Sequence, residues 1–249
     1  MAAPLIELCV EGIDGFLAAQ AAGADRVELC ASLMEGGLTP SLATIRAAVK
    51  AARIPVHVII RPRGGDFLYS QAEFETMRED ISALRTEGVA GVVIGCLTPD
   101  GRIDEARTKE LVAAARPMSV TCHRAFDMTE DAGEALEALV RCGVDRVLTS
   151  GQRDTAAEGI DILRRTVAQA GERIVIMGCG ALDAGNIKAV RDGAGLKEMH
   201  FAALKTVPSG MRFRNPHVGM GGTEKDREYE LTLTDPESVR ATIAAAKAP

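Results

Sequence analysis

The stretch VTCHRAFD, residues 120–127, leads an apolar run directly into three side chains that can do chemistry. His123 can transfer a proton near neutral pH, Arg124 can bind a carboxylate or a phosphate, and Asp127 can accept hydrogen bonds. A strand that only fills a hydrophobic core does not need these groups. We therefore interpret the octet as a strand that ends at a ligand site.

Acidic, basic and thiol side chains also lie in or directly after several other apolar runs. Carboxylates near an imidazole or a guanidinium are typical of acid–base sites. The candidate catalytic residues are therefore Glu7, Glu28, Arg61, His123 and Asp127. Other residues are suited to binding an anionic ligand, and two of them are glycines of the turn GCGA. These candidates are Arg63, Arg124, Ser150, Gly178, Gly180 and His200.

Short apolar runs alternate with helical patterns along the whole chain. The predicted strands cover residues 5–10, 25–30, 55–61, 91–97, 118–124, 145–150, 173–178 and 197–202. The predicted helices cover residues 12–23, 40–52, 71–88, 104–115, 131–143, 155–171, 183–193 and 235–247. Strands that are separated by helices run parallel, and eight such units in 249 residues predict a single (β/α)8 TIM barrel over residues 1–249.

The structural rival is a doubly wound open sheet, but CVEGIDG after the first strand is a poor match to a dinucleotide-binding loop. In a barrel, functional groups gather at the carboxyl ends of the strands, and phosphate often binds after the seventh and eighth. The Gly-rich and polar segment 203–233 follows the last strand. We expect this segment to be irregular and to cover that face.

Side-chain alternation predicts which residues enter the barrel. Ile6, Leu8, Val27 and Leu29 form the apolar set of the first two strands and suit the helix layer. The opposite set then points inward, and its members are Glu7, Cys9, Glu28 and Cys30. Charged groups in such an enclosure are costly unless they pair or bind a ligand, so the alternatives are a structural polar network and a functional site.

The bulk composition excludes several kinds of partner. The net charge is −6 and the pI is about 5.4, with no strongly basic segment, which argues against nucleic acid and against anionic membranes. MAAPLIELCV does not resemble a signal peptide, and no apolar run approaches the roughly 20 residues of a membrane-spanning helix. The six cysteines form no CxxC pair. We expect a cytoplasmic protein with reduced thiols.

Two of these cysteines suggest a metal site. Cys9 and Cys30 end adjacent predicted strands on the same face, and two neighbouring thiols suit a soft ion such as Cu(I). Cys179 or His200 can add a third ligand. The alternative is that each cysteine is a small buried hydrophobic residue, as is expected of Cys122 and Cys142 on the helix side.

Several stretches together resemble the CutC family, which is named for copper homeostasis. They are IELCV, GADRVELC, GGLTPS, IRPRGGDFLYS, HRAFD, LTSGQ and EMHFAA, and they occur in the family's order between about residues 5 and 245. The resemblance implies a TIM barrel, a cytoplasmic location, a homo-oligomer and a role in copper tolerance or trafficking. It also implies copper binding by Cys9 and Cys30. The chain departs from the family at Cys122, where Phe is usual, and at Cys179, where Gly is common.

Two functions from different classes remain open at this stage. The first is a homeostasis protein that binds Cu(I) through Cys9 and Cys30. The second is an enzyme that acts on a small anionic metabolite, a carboxylate or a phosphate, with His123 as general acid or base. A barrel without catalytic activity is a third alternative.

Overall fold

A computed structural model describes residues 3–219 and 227–249, and within them eight parallel strands close a barrel in sequence order. The first four strands are β1 (Leu5–Glu11), β2 (Arg26–Cys30), β3 (Val56–Ile59) and β4 (Gly91–Ile94). The second four are β5 (Ser119–Cys122), β6 (Arg146–Thr149), β7 (Val175–Gly178) and β8 (Glu198–Phe201). Since β1 pairs with β8, the sheet has no open edge, which confirms the barrel and excludes the doubly wound sheet.

A helix follows each barrel strand. The helices are α1 (Gly12–Ala22), α2 (Leu42–Ala51), α3 (Gln71–Leu84), α4 (Glu105–Ala115), α5 (Ala132–Cys142), α6 (Ile160–Ala170), α7 (Ile187–Ala194) and α8 (Pro236–Lys247). Two short 3-10 helices, Leu33–Glu35 and Arg124–Met128, lie in the loops after β2 and β5. No helix in the described ranges is both long and apolar enough to cross a membrane.

Local signals explain where helices begin and end. Gly23 ends α1 with a φ of 96°, as the sequence predicts, because glycine adopts this left-handed conformation without steric cost. Ser70 begins α3 with a capping box, in which its hydroxyl accepts the Glu73 N–H. The predicted helices at 71–88 and 155–171 are too long, since α3 ends at Leu84 and α6 begins only at Ile160.

The main core lies between the strands and the helices, and it is mostly aliphatic. Ile6, Leu8, Val27 and Leu29 are fully buried there, so the predicted alternation of the first two strands is correct. A second, smaller cluster lies inside the barrel and contains Cys9, Cys30, Ile59 and Val93. In the first two strands, the side chains that face the helices are therefore aliphatic, whereas those that face the barrel interior include thiols.

The segment 203–233 is not wholly irregular. It contains β9 (Leu204–Pro208), and β10 (Glu230–Thr234) begins within it and pairs with β9 in an antiparallel arrangement. β10 contacts α1 and β1, and the Thr234 hydroxyl oxygen lies 3.1 Å from the position that a Cβ on Gly15 would take. Residues 220–226 of this segment lie outside the described residues.

Candidate functional site

The amino-terminal half of the barrel interior contains a network of ion pairs. Arg26 donates Nε–H to Glu7 and Nη2–H to Glu198, the latter over 2.6 Å. Arg146 binds both oxygens of Glu198, at 2.6 Å from Nε and 3.1 Å from Nη2. Sequence analysis missed Arg26 and Arg146, although Arg26 stands two residues before Glu28 and so shares its face. Because each of these charges has a partner of opposite sign, the network is satisfied internally.

Glu7 connects this network to His200 on β8. His200 Nδ1 lies 2.8 Å from Glu7 Oε1, and its Nε2 lies 3.7 Å from Glu28 Oε2. Burial alone would raise the pKa of Glu7, but the hydrogen bond from His200 and the charge of Arg26 bring it well below its usual range. Burial would lower the pKa of His200, but its contacts with Cys9 and Glu7 raise it well above the usual value. The pair is therefore a carboxylate and an imidazolium.

Cys9 and Cys30 lie next to this pair, with their Sγ atoms 3.6 Å apart. This distance fits two thiol groups in contact and is far longer than the roughly 2.05 Å of a disulfide. The hydrogen bond from Cys30 lowers the pKa of Cys9 to about 5, whereas burial raises the pKa of Cys30 well above its usual value. Burial likewise raises the pKa of Glu28. Cys9 is therefore the sulfur that ionises first.

The two sulfurs and a carboxylate oxygen of Glu28 form a cluster of donor atoms that lie within 4.8 Å of one another. Glu28 Oε1 is buried and has no hydrogen-bond partner among the described residues. Thiolate sulfur favours Cu(I) and Zn²⁺, and a carboxylate oxygen is a further ligand that Zn²⁺ accepts. The residues of this cluster can thus hold a soft or borderline cation.

His123 lies immediately after β5, at the start of the 3-10 helix Arg124–Met128. Its Nδ1 accepts the Ala125 N–H over 3.1 Å, and its Nε2 has no hydrogen-bond partner among the described residues. Burial lowers the pKa of His123 to about 3, and the charge of Arg61 adds to this effect. The ring is therefore neutral at pH 7, with its proton on Nε2.

Asp127 is held by groups of its own chain. Its carboxylate accepts hydrogen bonds from the Thr149 hydroxyl at 2.5 Å, from the Ser150 hydroxyl at 2.9 Å and from the Gln152 N–H at 3.1 Å. Arg124 pairs with the same carboxylate at 2.8 Å and with Ser150 Oγ at 2.8 Å. These contacts fix the loops after β5 and β6 to each other. They also occupy the oxygens that a catalytic carboxylate would need.

Arg61 also holds loops in place. Its Nη1 donates to the carbonyl oxygens of Glu35 at 2.6 Å and Gly37 at 3.1 Å, and its Nη2 donates to Gly65 at 2.8 Å. The guanidinium lies 5.1 Å from the centre of the Phe67 ring, which in turn lies 4.8 Å from the imidazole of His123. Arg61 therefore braces the loops after β2 and β3 beside His123.

Three of the predicted ligand-binding residues, Arg63, Gly178 and Gly180, contact neighbouring parts of the protein. Arg63 binds Glu73 at 2.7 Å and the Leu68 carbonyl at 2.7 Å, and so stabilises its own loop. A Cβ on Gly178 would meet Leu196 on the helix side at 2.5 Å. Gly180, with a φ of 100°, packs against the Ser150 side chain. This close packing leaves no room for a Cβ at either position, and phosphate binding by the turn GCGA stays a prediction.

Seven of the candidates meet at a cavity of about 480 Å³ at the carboxyl end of the barrel, whereas Glu7, Cys30 and Ser150 do not line it. Its walls include Ile59, Phe67 and Leu148, and no described residue of the segment 203–233 contributes. A larger depression, of about 610 Å³ around Arg116 and Lys197, lies at the opposite end and holds none of the candidates. The candidates that line the carboxyl-end cavity are Cys9, Glu28, Arg61, His123, Arg124, Asp127 and His200.

Two glycines on β4 and directly after it leave the space that two histidines need, and sequence analysis did not select them. A Cβ on Gly91 would lie 2.6 Å from Nε2 of His57, and a Cβ on Gly95 would lie 2.4 Å from Cε1 of His123. Glycine in a strand often marks such a close approach. The signal was present, but the partner of each glycine becomes visible only in three dimensions.

Comparison of the sequence with known proteins gives one consistent result. The model of the CutC family matches residues 4–205. A family protein CutC of Mesorhizobium japonicum is 68% identical over 245 residues, which are 98% of this chain and 95% of that protein. The human copper homeostasis protein cutC homolog is 45% identical and covers 98% of this chain and 89% of its own length.

Solved structures agree with this result. The CutC protein from Streptococcus agalactiae is 33% identical and superposes with a TM-score of 0.76, covering 80% of this chain and 98% of its own. TrpF from Jonesia denitrificans has a TM-score of 0.56 at 15% identity, covering 98% of this chain and 97% of its own. At that identity the likeness shows only that both are barrels of the same type.

Proposed function

The chain belongs to the CutC family, and from that premise we propose that it takes part in copper homeostasis by binding Cu(I) between Cys9 and Cys30. The observation that supports this most directly is the 3.6 Å distance between the two Sγ atoms inside the barrel. Soft thiolate ligands select Cu(I) over hard cations. The proposal includes a cytoplasmic location, because reduced thiols persist there, and a homo-oligomer.

The surroundings of the two sulfurs support the proposal. The pKa of about 5 makes Cys9 a thiolate at neutral pH, and His200 provides the adjacent positive charge. Ligation by Cys30 requires the loss of its proton, which a bound cation favours, so metal binding releases a proton. Cys9 and Glu28 line the cavity while Cys30 is buried behind them, so the metal enters from the carboxyl end of the barrel.

A competition titration with a chromophoric Cu(I) chelator tests this function. We expect the wild-type protein to remove one equivalent of Cu(I) from the chelator and Cys9→Ala/Cys30→Ala to remove none. The matched control is Cys122→Ala/Cys142→Ala, in which two cysteines that pack against the helix layer are replaced, and it should retain the full equivalent. Equal binding by both double variants would refute the proposal.

The geometry gives less support to an acid–base enzyme. Asp127 is saturated by hydrogen bonds and by Arg124, and Arg61 donates to three carbonyl oxygens. Neither is arranged as a partner of His123 in proton transfer, since Nδ1 of that ring accepts a backbone N–H. We therefore assign these two residues to the support of the site.

A further inference from the structure

The imidazole of His123 presents a buried hydrogen-bond donor that nothing in the described chain uses. The ring is 4% exposed and lines the carboxyl-end cavity. Its Nδ1 is engaged by the Ala125 N–H, so the free Nε2 carries the proton and can only donate. A buried donor without a partner is costly, and such groups in a cavity mark places where a ligand binds.

The shape and lining of the cavity set the size and polarity of that ligand. A volume of about 480 Å³ lies within the range of small-molecule sites. Ile59, Phe67 and Leu148 provide apolar walls, and the Phe67 ring lies against both His123 and Arg61. These features suit a small molecule that has an apolar body and one oxygen-bearing head.

The charges around His123 favour a negatively charged head. Arg61 and Arg124 both line the cavity. Arg124 donates hydrogen bonds through Nε and Nη2, while its Nη1 has no hydrogen-bond partner among the described residues. Of the four acidic residues that line the cavity, Asp127 pairs with Arg124, Asp66 pairs with Arg63 at 3.1 Å, and Glu35 is exposed to solvent. Glu28 lies 3.7 Å from His200 Nε2. An incoming carboxylate thus meets two guanidinium groups, and three of the four acids around the cavity already face a positively charged group.

The loop after β6 is unsuited to a phosphate. Phosphate sites in barrels use backbone N–H groups of glycine-rich turns. Here the N–H groups of Ser150 and Gln152 bind the carboxylate of Asp127, and the Gly151 N–H binds Thr149 Oγ1. In this loop the chain's own carboxylate and hydroxyl already occupy the backbone N–H groups that a phosphate would use.

We propose that the cavity binds a small organic carboxylate with an apolar body, whose oxygens accept the Nε2–H of His123 beside the guanidinium groups of Arg61 and Arg124. This site goes beyond the metal proposal and does not depend on it. The ligand's head lies at His123, and its body lies against Phe67 and Leu148. No covalent step is involved.

Nuclear magnetic resonance of the full chain with ¹⁵N-labelled histidine tests the site directly, because the protein has only four histidines. The probes are benzoate and butyrate, with benzamide, butyramide and inorganic phosphate as matched comparisons. We expect the carboxylates to shift the Nε2 resonance of His123 saturably, while the exposed His217 stays unchanged. The amides and phosphate should bind at least about tenfold more weakly, as expected when a charge-assisted hydrogen bond is lost.

Two variants complete the test. His123→Phe should weaken benzoate binding at least about tenfold in isothermal titration, and His217→Gln should bind it as the wild type does. Should His123→Phe fail to fold, the resonance of His123 in the wild-type protein still decides. An unchanged His123 resonance, or equal affinity for benzoate, benzamide and phosphate, overturns the proposal, and neither result bears on Cu(I) binding by Cys9 and Cys30.

Discussion

His200 donates its Nδ1–H to Glu7 Oε1 over 2.8 Å, and this contact joins the last strand of the barrel to the first. The two residues are also register partners, because β1 and β8 pair directly at Glu7 and His200. The other ring nitrogen of His200 faces Glu28 and the Cys9 sulfur is adjacent, so the imidazolium stabilises a thiolate beside it. Barrel closure and the ionisation of the thiol site therefore depend on the same side chain.

Replacing Arg26 with methionine should destabilise the protein strongly. The change leaves Glu7 buried without its guanidinium partner and removes the 2.6 Å contact with Glu198. Breaking a buried ion pair from one side typically costs about 3–5 kcal/mol. Urea unfolding followed by circular dichroism at pH 7 measures the loss.

An exposed ion pair provides the control for Arg26→Met. Arg173 binds Glu137 at 2.8 Å on the surface, and such pairs contribute about 0–1 kcal/mol. Arg173→Met should therefore change the free energy of unfolding little. If the two variants lose the same stability, then the interior pair is solvated in solution and Arg26, Glu7 and Glu198 do not form a closed network.

The neutral state of His123 predicts a loss of stability in acid. Because its pKa is about 3 in the folded protein and near 6.5 in the unfolded chain, the unfolded chain binds more protons between these values. The neutral imidazole therefore makes its full contribution to the free energy of unfolding above pH 6.5, and this contribution is lost as the pH falls towards 3. At pH 4.5 this amounts to about 2–3 kcal/mol relative to neutral pH.

His123→Gln removes the titrating imidazole. Between pH 7.5 and pH 4.5, the free energy of unfolding of this variant should therefore decrease by about 2–3 kcal/mol less than that of the wild type. His217→Gln, which changes an exposed ring, should follow the wild-type profile. Urea unfolding of the three proteins at both pH values gives the six free energies needed. Parallel profiles for wild type and His123→Gln would mean that His123 titrates normally in the folded protein.

Asp127→Asn should act on structure, since the carboxylate organises the loops after β5 and β6. The amide keeps one acceptor oxygen and turns N–H groups towards the donors of Thr149 or Ser150. We expect a loss of about 2–4 kcal/mol and faster amide hydrogen exchange over residues 149–153. Asp66→Asn is the control because Asp66 is largely exposed, and it should leave exchange in that loop unchanged.

The sequence predicted the barrel and the inward face of the first two strands well, because both follow from short-range periodicity. Alternation with a period of two assigns Glu7, Cys9, Glu28 and Cys30 to the interior, and all four are buried there. Eight strand–helix units leave few topologies open. The pair β9 and β10 was missed, since its strands are separated by 21 residues and neither carries a local signal of the other.

The site was only partly predictable, since residue type does not reveal what a side chain already binds. Arg61 and Asp127 have the chemistry of catalytic groups, yet backbone groups of neighbouring loops satisfy much of their hydrogen bonding. The sequence does not show that Leu196 and Ser150 lie against Gly178 and Gly180. These neighbours come from distant parts of the chain, and only tertiary packing brings them together.

Gly95→Ala gives a test of how His123 is positioned. A Cβ at residue 95 would lie 2.4 Å from Cε1 of His123 and 2.7 Å from Cβ of Ala125, so the ring must move. Overpacking of this kind costs about 1–3 kcal/mol, which thermal unfolding should detect as a lower midpoint. The displaced ring also loses its hydrogen bond with the Ala125 N–H.

The matched substitution is Gly210→Ala, because no atom lies within 4 Å of a Cβ at that position and the φ of Gly210 is outside the left-handed region. It therefore controls for the loss of a glycine alone, without a steric clash or backbone strain. We expect the histidine ¹⁵N spectrum to show His123 shifted in Gly95→Ala and unchanged in Gly210→Ala. If the His123 resonance is unshifted in Gly95→Ala, then the backbone after β4 moves instead of the imidazole ring. In that case the glycine at residue 95 does not determine where Nε2 of His123 points.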